Sequence, residues 1–262
     1  MRNELIEKKL QERLDQGANI WVIGDVHGYF ATLHALVENL SLGPRDCVIL
    51  LGDLIDRGPT SADVVKYVRE HGNFFCVRGN HEQMMILGFD EDLFFKAYDQ
   101  DSQLWYHNGG VNTEFSYMNL YDNDDEKACD AALDDVKWMT ELPTEIVLDV
   151  WRLVHGGYDQ NFGVEDQSED NHMNARVKFY TAKKAIDPSR TILFGHSPTF
   201  NCLHKDDSKA GLAWQSDVKT DDGRPMAIGI DTCLYHTFEL SKTLTAYNLQ
   251  DDEIYYQPLV KE

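Results

Sequence analysis

Five short polar clusters carry the residues that could do chemistry. Asp25 and His27 stand in GDVHG, and Asp53, Asp56 and Arg57 in GDLIDRG. Arg78, Asn80, His81 and Glu82 follow in RGNHE, then His155 in HGG and His196 in GHSP. The set is rich in carboxylate, imidazole and amide and has no thiol. Oxygen and nitrogen donors of this kind suit Mn, Fe or Zn. Two carboxylates, several histidines and an asparagine are more than one ion needs. A pair of ions ~3.5–4 Å apart, bridged by one carboxylate, would use them all. Each cluster alone has a plainer explanation, such as a turn, a capped helix start or a satisfied histidine. Five in order, each directly after an apolar run, point to one convergent site.

The elements that must position these side chains follow from the apolar runs. NIWVIGD (19–25), CVILLGD (47–53), FFCVRGN (74–80), WRLVHGG (151–157) and TILFGHS (191–197) have the length and branched-residue content of buried strands. Helical patterns at 30–40, 60–71 and 176–185 fall between some of them, which predicts βαβ units and a partly parallel sheet. Ligands bind at the carboxyl ends of such strands. Glycines flank Asp25, His27, Asp53, Asn80, His155 and His196, where the chain must turn sharply and approach closely. Later strands at about 226–231, 243–249 and 253–257 follow one another without helices, and predict a second, more antiparallel sheet. Residues 3–16 predict an amphipathic helix with Leu5, Leu10 and Leu14 on one face. No linker or repeat interrupts the rest. The expected organisation is a helical extension over 1–18 and one catalytic domain over 19–262.

Composition narrows the function classes. The chain of 262 residues has 24 basic and 45 acidic side chains, a net charge of −21 that disfavours a nucleic-acid partner. Its aromatic content of 11% is that of a folded protein rather than a disordered acidic one. Five cysteines without CxxC spacing disfavour a disulfide framework and a thiolate zinc site, and Cys47 and Cys76 read as core residues. No apolar run reaches the ~20 residues of a membrane span, and the charged start has no signal core. These features predict a cytoplasmic protein with no membrane partner. The acidic cluster YDNDDEKACDAA lacks the turn glycine of a calcium loop, so it reads as solvated surface.

GDxHG, GDxxDRG and GNHE, spaced by 28 and 27 residues, resemble the PPP-family metallophosphoesterases. HGG, GHSP, WYHNGG (105–110) and GIDTC (229–233) resemble their bacterial and phage-type serine/threonine protein phosphatase branch, with Cys233 where the family usually has Gly. The resemblance covers roughly residues 19–249. It implies an α/β (mixed α+β) calcineurin-like metallophosphoesterase fold, with two mixed sheets sandwiched between helices. It also implies two divalent cations, manganese being the family's usual activator, with iron or zinc as alternatives. Asp25 and His27 would bind the first metal and Asp53 would bridge both. Asn80, His155 and His196 would complete the second site. A bridging hydroxide would attack phosphorus. His81, oriented by Asp56, would protonate the leaving alkoxide. Arg57 would contact the substrate phosphate, with Arg78 and Asn80 beside it. Arg176 in HMNARVKF would add a second arginine fork, although Asn174 stands where the branch usually has Trp. Arg152 and Arg190 are lesser candidates.

The expected activity is one-step hydrolysis of phosphoserine or phosphothreonine, and possible phosphotyrosine, monoesters in proteins by a monomeric enzyme. Two rivals stand beside it, and a broader one, a phosphodiesterase such as a nuclease, is disfavoured by the paired arginines and the net charge of −21. One is a symmetrical diadenosine tetraphosphate hydrolase, whose family typically carries GNHD and HAG. The other is an inactive module that binds phosphoproteins.

Overall fold

The computed structural model describes residues 2–90, 96–237 and 239–261. Its strands are short because each apolar run bends away into the polar cluster that ends it. NIWVIGD gives β1 (Ile20–Ile23), CVILLGD gives β2 (Cys47–Leu50) and FFCVRGN gives β3 (Phe74–Cys76). Side chains alternate across each strand, and both faces are apolar. Ile20, Val22, Cys47 and Ile49 pack into one core cluster, whereas Trp21, Ile23, Val48 and Leu50 pack into another.

The second sheet is built from β4 (Glu145–Val147), β5 (Trp151–Val154), β6 (Thr191–Phe194), β7 (Trp214–Gln215) and β8 (Ala227–Gly229). Trp151, Leu153, Leu193 and Ile228 face the cluster shared with the first sheet. Val154, Ile192, Phe194 and Ala227 face a third cluster on the outer side. The two sheets therefore stack face to face over a shared apolar layer. Strands β5, β6 and β8 are parallel, as are β1, β2 and β3, with antiparallel strands β4 and β7 flanking the former set and an antiparallel strand joining β1 in the latter. The fold is mixed α/β with two mixed sheets, as the motifs imply.

The last strands do not form the expected second, more antiparallel sheet. β8 joins the second sheet in parallel with β6, while β9 (Thr243–Asn248) and β10 (Ile254–Pro258) extend the first, in the order β10-β9-β1-β2-β3. β2 covers one edge of β1, and the other edge needs a partner for its N–H and C=O groups. β9 fills it, and all six of its residues are buried.

Helices α1 (Glu4–Asp15), α2 (Phe30–Asn39), α3 (Ser61–Glu70), α4 (Asn80–Gly88), α5 (Gln100–His107), α6 (Gly110–Leu120) and α7 (Asp125–Thr140) occupy the first part of the chain. In α1, Leu10 is buried and Ile6 and Leu14 pack beside it, but Leu5 is 82% exposed. The inward stripe is 6, 10 and 14, at helical spacing of four, and Leu5 lies off it. Glu7 accepts the backbone N–H of Val147 at 2.9 Å, so α1 is tied to β4. Asp124 caps α7 by accepting from Lys127 N at 3.2 Å, and Asp125 and Glu126 occupy the first turn. The acidic cluster serves that helix start.

Two short helices, α8 (Glu169–Asn174) and α9 (Val177–Tyr180), precede β6. The expected helix over 176–185 is thus a single turn. Thr181 donates its hydroxyl to Val177 O at 2.6 Å, and Asp187, ahead of Pro188, is biased away from helix.

Arg152 lies on β5, fully buried, and pairs with Glu145 at 3.1 Å, with Asp187 at 2.7 Å and with Glu165. This arginine is a structural clamp and not a phosphate ligand. Its guanidinium holds Asp187 down to about 2, against the opposing effect of burial. Arg190 is likewise engaged, donating to Leu148 O at 2.9 Å. Arg152→Ala would strand two buried carboxylates and is expected to cost about 3–5 kcal/mol of stability in urea unfolding. A loss under about 1 kcal/mol would refute the clamp.

Candidate active site

The parallel strands of both sheets end on one edge, and the five polar clusters converge there. Asp53 lies at the centre. Its Oδ1 is 3.2 Å from His155 Nε2, and its Oδ2 is 3.5 Å from His27 Nε2 and 3.9 Å from His81 Nε2. Two buried groups result, His27–Asp53–His81 and Asp53–His155–His196, each with donor atoms within 4.8 Å of one another. Asp53 belongs to both.

The backbone adopts a costly conformation to aim these side chains. φ is positive at His27 (49°), Asp53 (51°), Asp56 (71°), Arg57 (68°) and His196 (60°). Positive φ in non-glycine residues is uncommon and collects at functional sites. The expectation placed that burden on the flanking glycines, but much of it falls on the reactive residues themselves. Gly195 serves close approach instead, since a Cβ there would lie 2.1 Å from Asp25 Oδ1. Glu82 is part of the same device. Its carboxylate accepts from the backbone N–H groups of Asp53, Leu54 and Gly79 at 2.7–2.8 Å and holds the β2 and β3 turns together.

The hydrogen bonds define the proton positions. Arg57 can only donate, and it reaches His27 Nε2 and His81 Nε2 at 2.9 Å each. The ring protons of those histidines therefore sit on Nδ1. His27 Nδ1 donates to Ile55 O at 2.9 Å, and His81 Nδ1 donates to Asp56 Oδ2 at 2.6 Å. His155 Nδ1 donates to Leu51 O at 2.7 Å, while its Nε2 faces the oxygens of Asn80 (3.0 Å) and Asp53. Both ring nitrogens of His155 then face acceptors, so it is imidazolium. Burial opposes that charge, but Asp53 outweighs it and lifts the group to about 9. Burial likewise opposes ionisation of Asp53, yet His155 and His81 hold it well below the usual carboxylate range.

These residues fit a divalent-cation site. The inner nitrogens of His27 and His155 are oriented by a backbone carbonyl on the opposite ring nitrogen, the usual support of a metal-ligating histidine. His196 Nε2 is buried without a hydrogen-bond partner among the described residues. Burial, then the charges of His155 and Arg176, keep that imidazole neutral, as a ligand requires.

The expected residues are not all placed alike. Asn80, His155 and His196 gather with Asp53. Asp25 is buried at the same edge but stands outside both groups, and its two oxygens accept from His196 N at 3.0–3.1 Å. Arg57 stacks 4.0 Å over the Tyr235 ring and points into the site. Arg176 donates to His196 O at 3.1 Å from the rim. Arg78 turns elsewhere: it pairs with Glu169 at 3.2 Å and Gln83 at 3.0 Å, which braces α4 against α8.

The structure adds residues that the motifs did not assign. Asp56 Oδ1 accepts from Trp105 Nε1 at 3.0 Å and Thr113 Oγ1 at 2.6 Å, so the carboxylate behind His81 is held on both oxygens. The WYHNGG segment was the available signal. Tyr235 packs edge-on to His27 at 4.4 Å between centroids and carries no motif signal. Asp231, within GIDTC, is buried beside Asp25, and burial raises it to about 6.

Residues 18–221 match the model of the calcineurin-like phosphoesterases. Over 201 residues the chain is 28% identical to serine/threonine-protein phosphatase 1 of Salmonella typhimurium, covering 76% of this chain and 86% of that protein. Over 116 residues it is 34% identical to serine/threonine-protein phosphatase 2 of Escherichia coli, covering 44% of this chain and spanning only 47% of that relative. A shorter match, 42% over 71 residues, is to the symmetrical bis(5'-nucleosyl)-tetraphosphatase of Salmonella paratyphi B, covering 26% of this chain and 25% of that one. The fold matches a solved metallophosphoesterase from Sphaerobacter thermophilus with a TM-score of 0.55 at 14% identity, covering 94% and 89% of the two chains. With its strand-end carboxylates and imidazoles gathered on Asp53, the chain belongs to the calcineurin-like phosphoesterase family.

Proposed function

We propose that this phosphoesterase is a phosphoprotein phosphatase that hydrolyses phosphoserine and phosphothreonine monoesters with two divalent cations. The observation that carries the reading is the His81–Asp56 pair at 2.6 Å, with His81 Nε2 directed at the Asp53 cluster. A serine or threonine alkoxide leaves poorly without a proton. A buried imidazole backed by a carboxylate is suited to deliver one.

Asp25, His27, Asp53, Asn80, His155 and His196 would hold the cations, with manganese the first to test. Bound cations would make a water nucleophilic near neutral pH and draw charge from the phosphoryl oxygens. The chain's own residues do the rest. Arg57 can shift its planar fork from the two imidazoles to phosphate oxygens, and Arg176 can reach them from the rim. With Arg57 turned away, His81 Nε2 takes up a proton from solvent while Asp56 accepts from Nδ1, and passes that proton to the departing oxygen. His155 must give up its Nε2 proton before it can ligate, so cation binding weakens as pH falls below about 9.

The match to a serine/threonine phosphatase over most of both chains supports a protein substrate, while the tetraphosphatase match is confined to 71 residues. Phosphate release from a phosphoserine peptide with manganese, in competition with diadenosine tetraphosphate, separates the two. Rapid release unaffected by the dinucleotide is expected. Preferential cleavage of the dinucleotide would make the chain a tetraphosphatase. Cleavage of neither by the manganese-loaded chain would favour a phosphoprotein-binding module.

A further inference from the structure

We propose that Asp231 is the carboxylate of a sixth strand end at the cation site, acting beside Asp25. The motifs account for five strand ends, but the topology supplies another. β8 runs parallel to β6, so it ends on the same edge, and Asp231 lies two residues beyond Gly229, its last residue. A Cβ on Gly24 would lie 2.4 Å from Ile230 O, so those two backbones abut. Asp25 and Asp231 are the next residues along each. Burial and then the charge of Asp231 disfavour ionisation of Asp25, and burial and the charge of Asp53 disfavour that of Asp231.

Asp231 is 1% exposed. Its Oδ1 accepts from Cys233 N at 3.1 Å, and its Oδ2 has no hydrogen-bond partner among the described residues. The backbone holds it in place, because Thr199 N donates to Asp231 O at 2.8 Å and Ile230 N to Phe194 O at 2.9 Å. Arg57, whose charge favours ionised Asp231, is turned to His27 and His81. Burying a carboxylate with one oxygen unmatched beside a second carboxylate is costly. A divalent ion at this edge would remove that cost for both. Asp231 is a positioning residue: it acts on the ion and its shell, not on substrate.

The inference rests on the cation site and is independent of whether the substrate is a phosphoprotein or a dinucleotide. The test is manganese binding by the full chain, followed by calorimetry, with melting measured metal-free and manganese-loaded. Asp231→Asn keeps the acceptor for Cys233 N and removes the charge. Its manganese affinity is expected to fall about 10- to 100-fold, the usual effect of losing an outer partner of a metal ligand. Its metal-free form should melt no lower than the wild type, because the repulsion with Asp25 is gone. An affinity within threefold of wild type would overturn the proposal. So would a metal-free melting temperature lowered as much as the loaded one, the mark of a purely structural residue. If the Asn variant does not fold, Asp231→Ser carries the same expectation. Failure of both to fold even with manganese would also overturn it. Absence of manganese binding by the wild type would instead remove the cation site itself, and the proposal with it.

Discussion

His81→Asn is expected to lower kcat on a phosphoserine peptide by roughly 10²- to 10⁴-fold, the range of a positioned general acid. The geometry makes the loss specific. His81 Nδ1 is fixed on Asp56 at 2.6 Å, and Trp105 and Thr113 hold the other Asp56 oxygen. The substituted amide has no proton to give at neutral pH. The same variant should lose far less on p-nitrophenyl phosphate, whose leaving group needs no proton. Steady-state kinetics on both substrates therefore separate acid catalysis from damage to the site. An equal loss on the two would assign His81 to the cation group, where its distance to Asp53 also allows it to stand.

Asp53→Asn is expected to have a still larger effect. Asp53 alone belongs to both groups of donors, and its charge sustains the imidazolium of His155. Two cations stabilise phosphoryl transfer by several kcal/mol, which corresponds to roughly 10³-fold or more in rate. The variant should show that loss on both substrates, together with less than one manganese bound per chain in equilibrium dialysis. Retention of two ions with wild-type affinity would remove Asp53 from its bridging role. The metal-free variant should also lose the support that charged His155 gives. In the wild type that support is full below about 6.5, the unperturbed imidazole value, and lost as pH rises through about 9.

Much of this was legible in the sequence, because the informative features are local. A strand of four apolar residues followed by Gly and Asp signals its own ending, and the order of such endings carries the family. GDVHG, GDLIDRG and GNHE each lie within a few residues of chain, so their content needs no tertiary information. WYHNGG was legible only as a family segment, and the hydrogen bond by which Trp105 buttresses Asp56 was not.

Other features depend on distant partners. Arg176 reads in sequence as the second phosphate fork, with Arg78 beside the site and Arg152 a lesser candidate, but each lies near a candidate strand or motif. Only the fold separates them. Arg152 points to the outer face of β5 into three carboxylates, Arg78 meets Glu169 from 91 residues away, and Arg176 alone reaches His196. The late strands were divisible between two sheets only once β1 offered a free edge. Leu5 and Ile6 differ by one position, and the docking of α1 on β4 decides which is buried.

By itself, then, the sequence determined the donors, their order and the strand ends that bear them, because residue type and chain-local periodicity encode those. Tertiary structure decided which donors share Asp53, which of the candidate arginines turn away from the site, and that Asp231 joins the edge. Those outcomes depend on which strands pair and which carboxylates are already neutralised, and both are settled by partners far away in the chain.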